Sequence, residues 1–131
     1  MMSMTERIDG AKALIEWFGQ WPSFHDAEVL ELSLNRNGRS LLRIHTWHST
    51  SAVDAAGHFR HDKDVVVQFD LIDVYDCEIV GFNAQNVLGL LQVDARDDGL
   101  RLSLDSVYGL GGWIDARQVS LTFLAGMPPK P

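Results

Sequence analysis

The chain has 131 residues, of which 11 are Lys or Arg and 18 are Asp or Glu, for a formal charge of −7, and 46% are apolar. That composition describes one acidic globular domain over residues 1–131, large enough to bury roughly two-thirds of its unfolded surface around one core, and it excludes collagen-like, disordered and disulfide-framework chains. It also argues against a nucleic-acid partner, which needs clustered Lys and Arg, against a membrane span of ~18 uncharged apolar residues, and against a secretory leader at Met-Met-Ser-Met-Thr-Glu-Arg, so the expected location is cytoplasmic.

Ile8, Ala11, Leu14, Ile15 and Phe18 recur at spacings of three and four among Glu6, Arg7, Lys12 and Glu16, which predicts an amphipathic helix over 5–18. Gly19 stands where a left-handed C-cap is expected, and Pro22 prevents continuation. Ser23, ahead of Phe24-His25-Asp26, can cap one tight turn.

From Glu28 the period becomes two. Leu30, Leu32 and Leu34 alternate with polar residues, and after Arg36-Asn37-Gly38 come Leu42 and Ile44. A three-residue loop ending on a left-handed Gly38 sets Leu32 against Leu42, Leu30 against Ile44 and Glu31 against Arg43. Residues 49–63 show neither period and read as a loop. Val65, Val67, Phe69 and Leu71 then alternate with Val66, Gln68, Asp70 and Ile72 as a central strand. Asn83 to Leu91 fits either a short helix or the start of a strand that continues through Val93 and Ala95. Asp98-Gly99 reads as a two-residue hairpin turn that pairs Ala95 with Leu102 and Val93 with Leu104. A last strand carries Val119, Leu121 and Phe123 on one side, before an extended tail from Met127. The expected fold is α+β, an N-terminal helix packed on an antiparallel sheet of about six strands.

Chemistry-bearing residues are few. His25-Asp26 has the types of a general base with its orienting acid, or half a metal pair. The plainer reading is a turn in which Ser23 and Asp26 satisfy backbone amides and His25 packs beside Trp21 or Phe24. His45 and His48, three apart on a strand, point to opposite faces. His58 and His61, with Asp62 and Asp64 behind them, offer zinc-type ligands in a loop without paired-motif spacing, so no metal and no cofactor is expected. Cys77 lies between Asp76 and Glu78, which disfavours a thiolate, and no Gly-x-Ser-x-Gly elbow occurs. No catalytic residue is assigned.

The acids are more informative. Asp62, Asp64, Asp70, Asp73, Asp76 and Glu78 against Lys63 leave a local charge of −5. Solvated strand acids are the default, while a functional patch would steer and dock a basic partner, with Tyr75 as an anchor. The candidate partner-binding residues are Asp70, Asp73, Tyr75, Asp76 and Glu78. Trp47 and Trp113 are similar in type but read as core.

Trp21-Pro22-Ser23-Phe24-His25-Asp26-Ala27-Glu28-Val29, directly after a helix ending Trp17-Phe18-Gly19, resembles the opening signature of the Immunity protein 50 family. Gly81-Phe82-Asn83-Ala84-Gln85-Asn86-Val87-Leu88 resembles that family's second stretch, and the Gly-rich passage from Tyr108 to Ile114 is similar as well. The resemblance implies a small bacterial protein of polymorphic toxin systems that binds a cognate toxin domain stoichiometrically, without turnover, and it carries over no catalytic residue. Trp21, Phe24, His25 and Asp26 are its motif residues, structural or functional. The other readings are a small enzyme or metal-binding domain using His25/Asp26 or His58/His61, and a homodimer through an exposed strand edge.

Overall fold

The fold starts from a run of long alternating strands. A computed structural model describes residues 5–128 except 54, 56 and 58, without the side chains of residues 5, 49–53 and 59–62. After a short 3-10 turn (Thr5–Arg7) and one helix, α1 (Ala11–Phe18), come β1 (Ala27–Ser33), β2 (Arg39–Val53), β3 (Phe59–Val80), β4 (Val87–Arg96), β5 (Gly99–Tyr108) and β6 (Gly111–Ala125). All pairs are antiparallel, and the order β1-β2-β3-β6-β5-β4 returns to β1 as a closed barrel.

The expected α+β arrangement is therefore corrected to a largely β fold with one eight-residue helix. The expected strand number holds, but the sheet has no open face for a helix to cover. Leu42, Ile44, Val65, Val67, Phe69, Leu71, Leu102, Ile114 and Ala116 are all fully buried and face one another across the interior. Curling the sheet buries its apolar side against itself. Alternation of period two looks the same in an open and a closed sheet, so this could not be read from spacing.

The helix instead closes one end of the barrel, where β2 leaves, β3 enters and β6 stops. Ala11, Leu14 and Phe18 join the common core, Trp17 meets Phe123 at 5.8 Å between centroids and Phe18 meets His48 edge-on at 5.9 Å. Gly19 is the left-handed C-cap, at φ 103°, donating to Ile15 O. Lys63 Nζ donates to Trp17 O and Phe18 O, setting a cation on the negative end of the helix. The helix is shorter than its periodicity predicts. Asp9 is taken by β6 instead, where its carbonyl accepts the Leu121 N–H at 2.7 Å, beyond the last β5–β6 pair at Leu100 and Ala116.

Registers follow the apolar pattern with two shifts. Leu32 lies opposite Leu42 and Glu31 opposite Arg43, with Arg43 Nη1 donating to Glu31 at 2.8 Å and Gly38 at φ 84°. Leu30 does not face Ile44. A bulge between Val29 and Glu31 gives that place to Val29 and leaves Leu30 at the surface. The β4–β5 turn is Asp97-Asp98, with Val93 opposite Leu102 and Ala95 opposite Leu100, two residues from the expected alignment. Gly99 is needed elsewhere: a Cβ there would lie 2.1 Å from Ala116 O, so the glycine lets β5 approach β6. Of the loop expected over 49–63, residues 49–53 and 59–63 instead extend the β2–β3 hairpin, and Asn83 to Leu91 resolves into a loop followed by β4.

The barrel closes on a narrow seam. β1 and β4 share only Ala27 opposite Leu88 and Glu28 opposite Val87. Phe24 and Asp26, at φ 61° and 62°, turn the chain out of the ladder, and there the His25 ring substitutes for backbone, with Nδ1 3.2 Å from Gly89 O. A carbonyl only accepts, so Nδ1 carries the proton in this bond. On the other side Val29 N–H donates to Asn86 O at 2.9 Å.

Asn86, buried, ties this seam to the far end of the barrel. β3 and β4 are not neighbours, so the connection 81–86 must cross that end. Asn86 Oδ1 accepts the N–H groups of Asn83 (2.9 Å) and Leu110 (2.8 Å), and its Nδ2 donates to Asn83 O at 2.8 Å. Gly109, at φ 79°, allows the contact, since a Cβ there would lie 2.5 Å from Asn86 Oδ1. Replacing Asn86 by Ala strands both donors, and Asn86→Ala is expected to cost roughly 2–4 kcal/mol in urea unfolding, as a lower midpoint at unchanged slope. The exposed His25 bond is worth less: His25→Ala is expected to cost about 1 kcal/mol in the same assay, and a loss as large as that of Asn86→Ala would contradict this division of the seam.

Candidate partner-binding face

β3 outruns its partner. Its last pairing with β2 is Ile72 opposite Arg39, after which residues 74–80 pair with β6 alone. Asp73 takes φ 54° and donates its N–H to Gly38 O at 3.0 Å. One step on, Val74 faces Ala116 and Asp76 faces Asp115, so Tyr75 is the extra residue of a bulge. Tyr75 is 42% exposed, and the Arg117 guanidinium lies 5.0 Å from its ring centroid. Asp76 Oδ1 accepts the Cys77 N–H at 2.9 Å. The bulge, the left-handed residue and the carboxylates blunt this strand edge, which weighs against pairing with a second copy.

The outer wall beside that edge is ordered by register. Glu78 faces Trp113, which faces Ser103; Asp76 faces Asp115, which faces Arg101, which faces Asp94. Arg101 Nε and Nη2 donate to the two Asp115 oxygens at 2.7 and 2.9 Å, and the guanidinium lies 4.0 Å over the Trp113 ring. The hydrogen bonding to Asp115 raises the Arg101 pKa; desolvation opposes it, and the charge of Asp115, with lesser contributions from Asp76 and Tyr75, adds to the rise. Trp113, expected in the core, is half-buried on this wall.

Four of the five acidic-patch candidates come together here: Asp73, Tyr75, Asp76 and Glu78 are all exposed. Asp70 does not join them. It is 7% exposed and accepts from Gln68 Nε2 at 3.0 Å, while Gln68 Oε1 accepts from Arg43 Nη2 at 2.8 Å. Asp64, also counted in the charge run, lies 2.9 Å from His45 Nε2. Proximity along the chain merges carboxylates that the barrel wall holds with others that face water.

The motif residues divide in the same way. Trp21, Phe24 and Phe69 form an aromatic cluster with centroids 5.9 to 6.3 Å apart. His25 and Asp26 are exposed, their Nε2 and Oδ2 3.6 Å apart, and His25 N–H donates to Ser23 Oγ at 3.2 Å. Ser23 thus acts in the turn as expected, whereas His25 bonds across the seam and does not pack in the core. His25 itself lines a cleft of about 270 Å³, together with Phe18, Gln20, Ser23, Phe24, Trp47 and His48. His58 and the His61 side chain lie outside the described residues. Among the described residues no three His, Cys, Asp or Glu are grouped to hold a metal ion, and no helix is long and apolar enough to cross a membrane.

The residues missed from sequence are Arg101 and Asp115, whose pairing is a cross-strand event, and Phe82 and Tyr108, which are exposed aromatics. The available signal was Phe82 between Gly81 and Asn83, outside any alternating run.

Comparison with known proteins finds no match among curated proteins and none among solved structures. The family model described as Immunity protein 50 matches residues 10–124. That span takes in α1, the seam residues 21–29 and 81–88 and all six strands up to Leu124, so the chain belongs to the Immunity protein 50 family.

Proposed function

We propose that this protein is a non-enzymatic, immunity-type inhibitor that neutralises a cognate toxin domain by stoichiometric binding. The family match over 10–124 carries the reading. The exposed face built from Asp73, Tyr75, Asp76 and Glu78 supports it with the chemistry of a docking surface: carboxylates that attract a basic partner, and an aromatic side chain that can bury area at little entropic cost. The formal charge of −7 suits a basic, nuclease-like target, whose phosphate-binding groups an acidic inhibitor would occupy.

On this reading His25 and Asp26 serve the turn before β1, and inhibition by binding asks no chemistry of them. The His25 contacts are to Gly89 O, Ser23 Oγ and the Asp26 carboxylate, and Asp26 takes φ 62° in the turn before β1.

Calorimetry and stopped-flow mixing with the purified toxin domain encoded by the neighbouring gene test the proposal. The expected result is a 1:1 complex that weakens as salt rises, with co-expression restoring growth of cells making the toxin. The triple variant Asp73→Asn, Asp76→Asn, Glu78→Gln is expected to slow association by about tenfold at low salt and change dissociation little. Absence of a complex at either salt, with no protection of cells, would overturn the proposal.

A further inference from the structure

The end of the barrel crossed by residues 81–86 carries an unusual concentration of exposed apolar surface. Val80 is 56% exposed, Phe82 61%, Val107 60% and Tyr108 54%. They come from two separate turns that the Gly81–Gly109 backbone contact holds together, since a Cβ on Gly81 would lie 2.6 Å from Gly109 O. Val107 belongs to the same end, its Cγ2 3.2 Å from the Cβ position of Gly89. The support beneath is rigid: Asn86 bonds both crossing segments, and Leu110 is fully buried under them. Aromatics fixed on a rigid base lose little entropy on binding, and exposed apolar clusters with a polar rim mark protein interaction sites.

Along 78–86 and 102–112 the charged rim is acidic. Glu28 faces Val87, which faces Tyr108, so its carboxylate shares the outer face of that row. Glu78 precedes Val80 by two residues on the same strand face, and Asp105 is exposed beside Val107. Neither 78–86 nor 102–112 contains a Lys or Arg. The end is also continuous through β3 with the acidic face of Asp73 to Glu78.

We infer that this apolar end is the anchoring centre of the partner interface, and that its occupant is a protein surface with an apolar middle and a basic rim. The inference rests on the immunity reading and deepens it. Phe82 and Tyr108 supply the affinity, and the carboxylates of β3 and β1 supply the attraction that brings the partner in. The total accessible surface is 7895 Å², and an interface of standard size takes roughly 800 Å² of it.

The test uses the full chain and the same purified toxin domain. Phe82→Ala and Tyr108→Ala are each expected to weaken the complex by at least about tenfold, mainly through faster dissociation. Leu124→Ala, 75% exposed at the opposite end, is expected to leave affinity unchanged. Hydrogen exchange of the wild-type complex is expected to show new protection at 80–82 and 107–109, a readout that does not depend on how any variant folds. A wild-type complex whose affinity survives Phe82→Ala and Tyr108→Ala within about twofold, or that gains no protection at those residues, overturns this inference and leaves the immunity reading standing. Failure of the wild-type chain to bind the toxin overturns both.

Discussion

Closure of the barrel is the constraint on which the rest depends. Two residue pairs join β1 to β4, fewer than join any other neighbours in the ring, and a curled sheet left open along that line would expose both a strand edge and the core behind it. Side chains reinforce the seam where the backbone ladder ends. Asn86 carries it toward the far end through its carbonyl to Val29 and its amide to Asn83 and Leu110, and His25 carries it the other way through Gly89 O. The two stretches that resemble the family thus meet in space where 27–29 lie against 86–88. Closing that line explains their residue types. A buried amide both donates and accepts, a ring nitrogen stands in for a peptide N–H, and left-handed residues at Phe24 and Asp26 release the chain toward the helix.

Closure also limits which surfaces are left to face outward. With the interior filled by its own apolar side chains and one end covered by α1, the surfaces that remain distinctive are the outer wall and the far end. β3, at 22 residues, continues past its last pairing with β2, and the Tyr75 bulge redirects it there. A single irregularity therefore does two things: it disfavours pairing of another strand with the free edge, and it turns an aromatic ring and its flanking carboxylates toward solvent.

Charge is distributed by the same logic. Asp64, Asp70 and Asp115 are held by His45, Gln68 and Arg101 and serve the wall itself, where a buried carboxylate without a partner would be costly. Asp73, Asp76 and Glu78 stand in water, where their cost is small and their field reaches outward. The Arg101–Asp115 pair, seated on Trp113, marks the division between the two groups.

Residue spacing by itself determined the helix with its Gly19 stop, the inward faces of β3 and β6, and the Leu32–Leu42 and Glu31–Arg43 register, because amphipathic period and turn chemistry are local properties. The family motifs were legible in the same way, as strings of residues. The tertiary structure alone decided that the sheet closes, since period two is indifferent to curvature. It decided that Gly99 serves a close approach to Ala116 and not a turn, because the crowding comes from a strand distant in sequence. It also separated Asp70 from Asp73, Asp76 and Glu78 and gathered Val80, Phe82, Val107 and Tyr108 at one end. Burial and surface patches are properties of the assembled ring, where cross-strand neighbours, and not chain neighbours, set each side chain's surroundings.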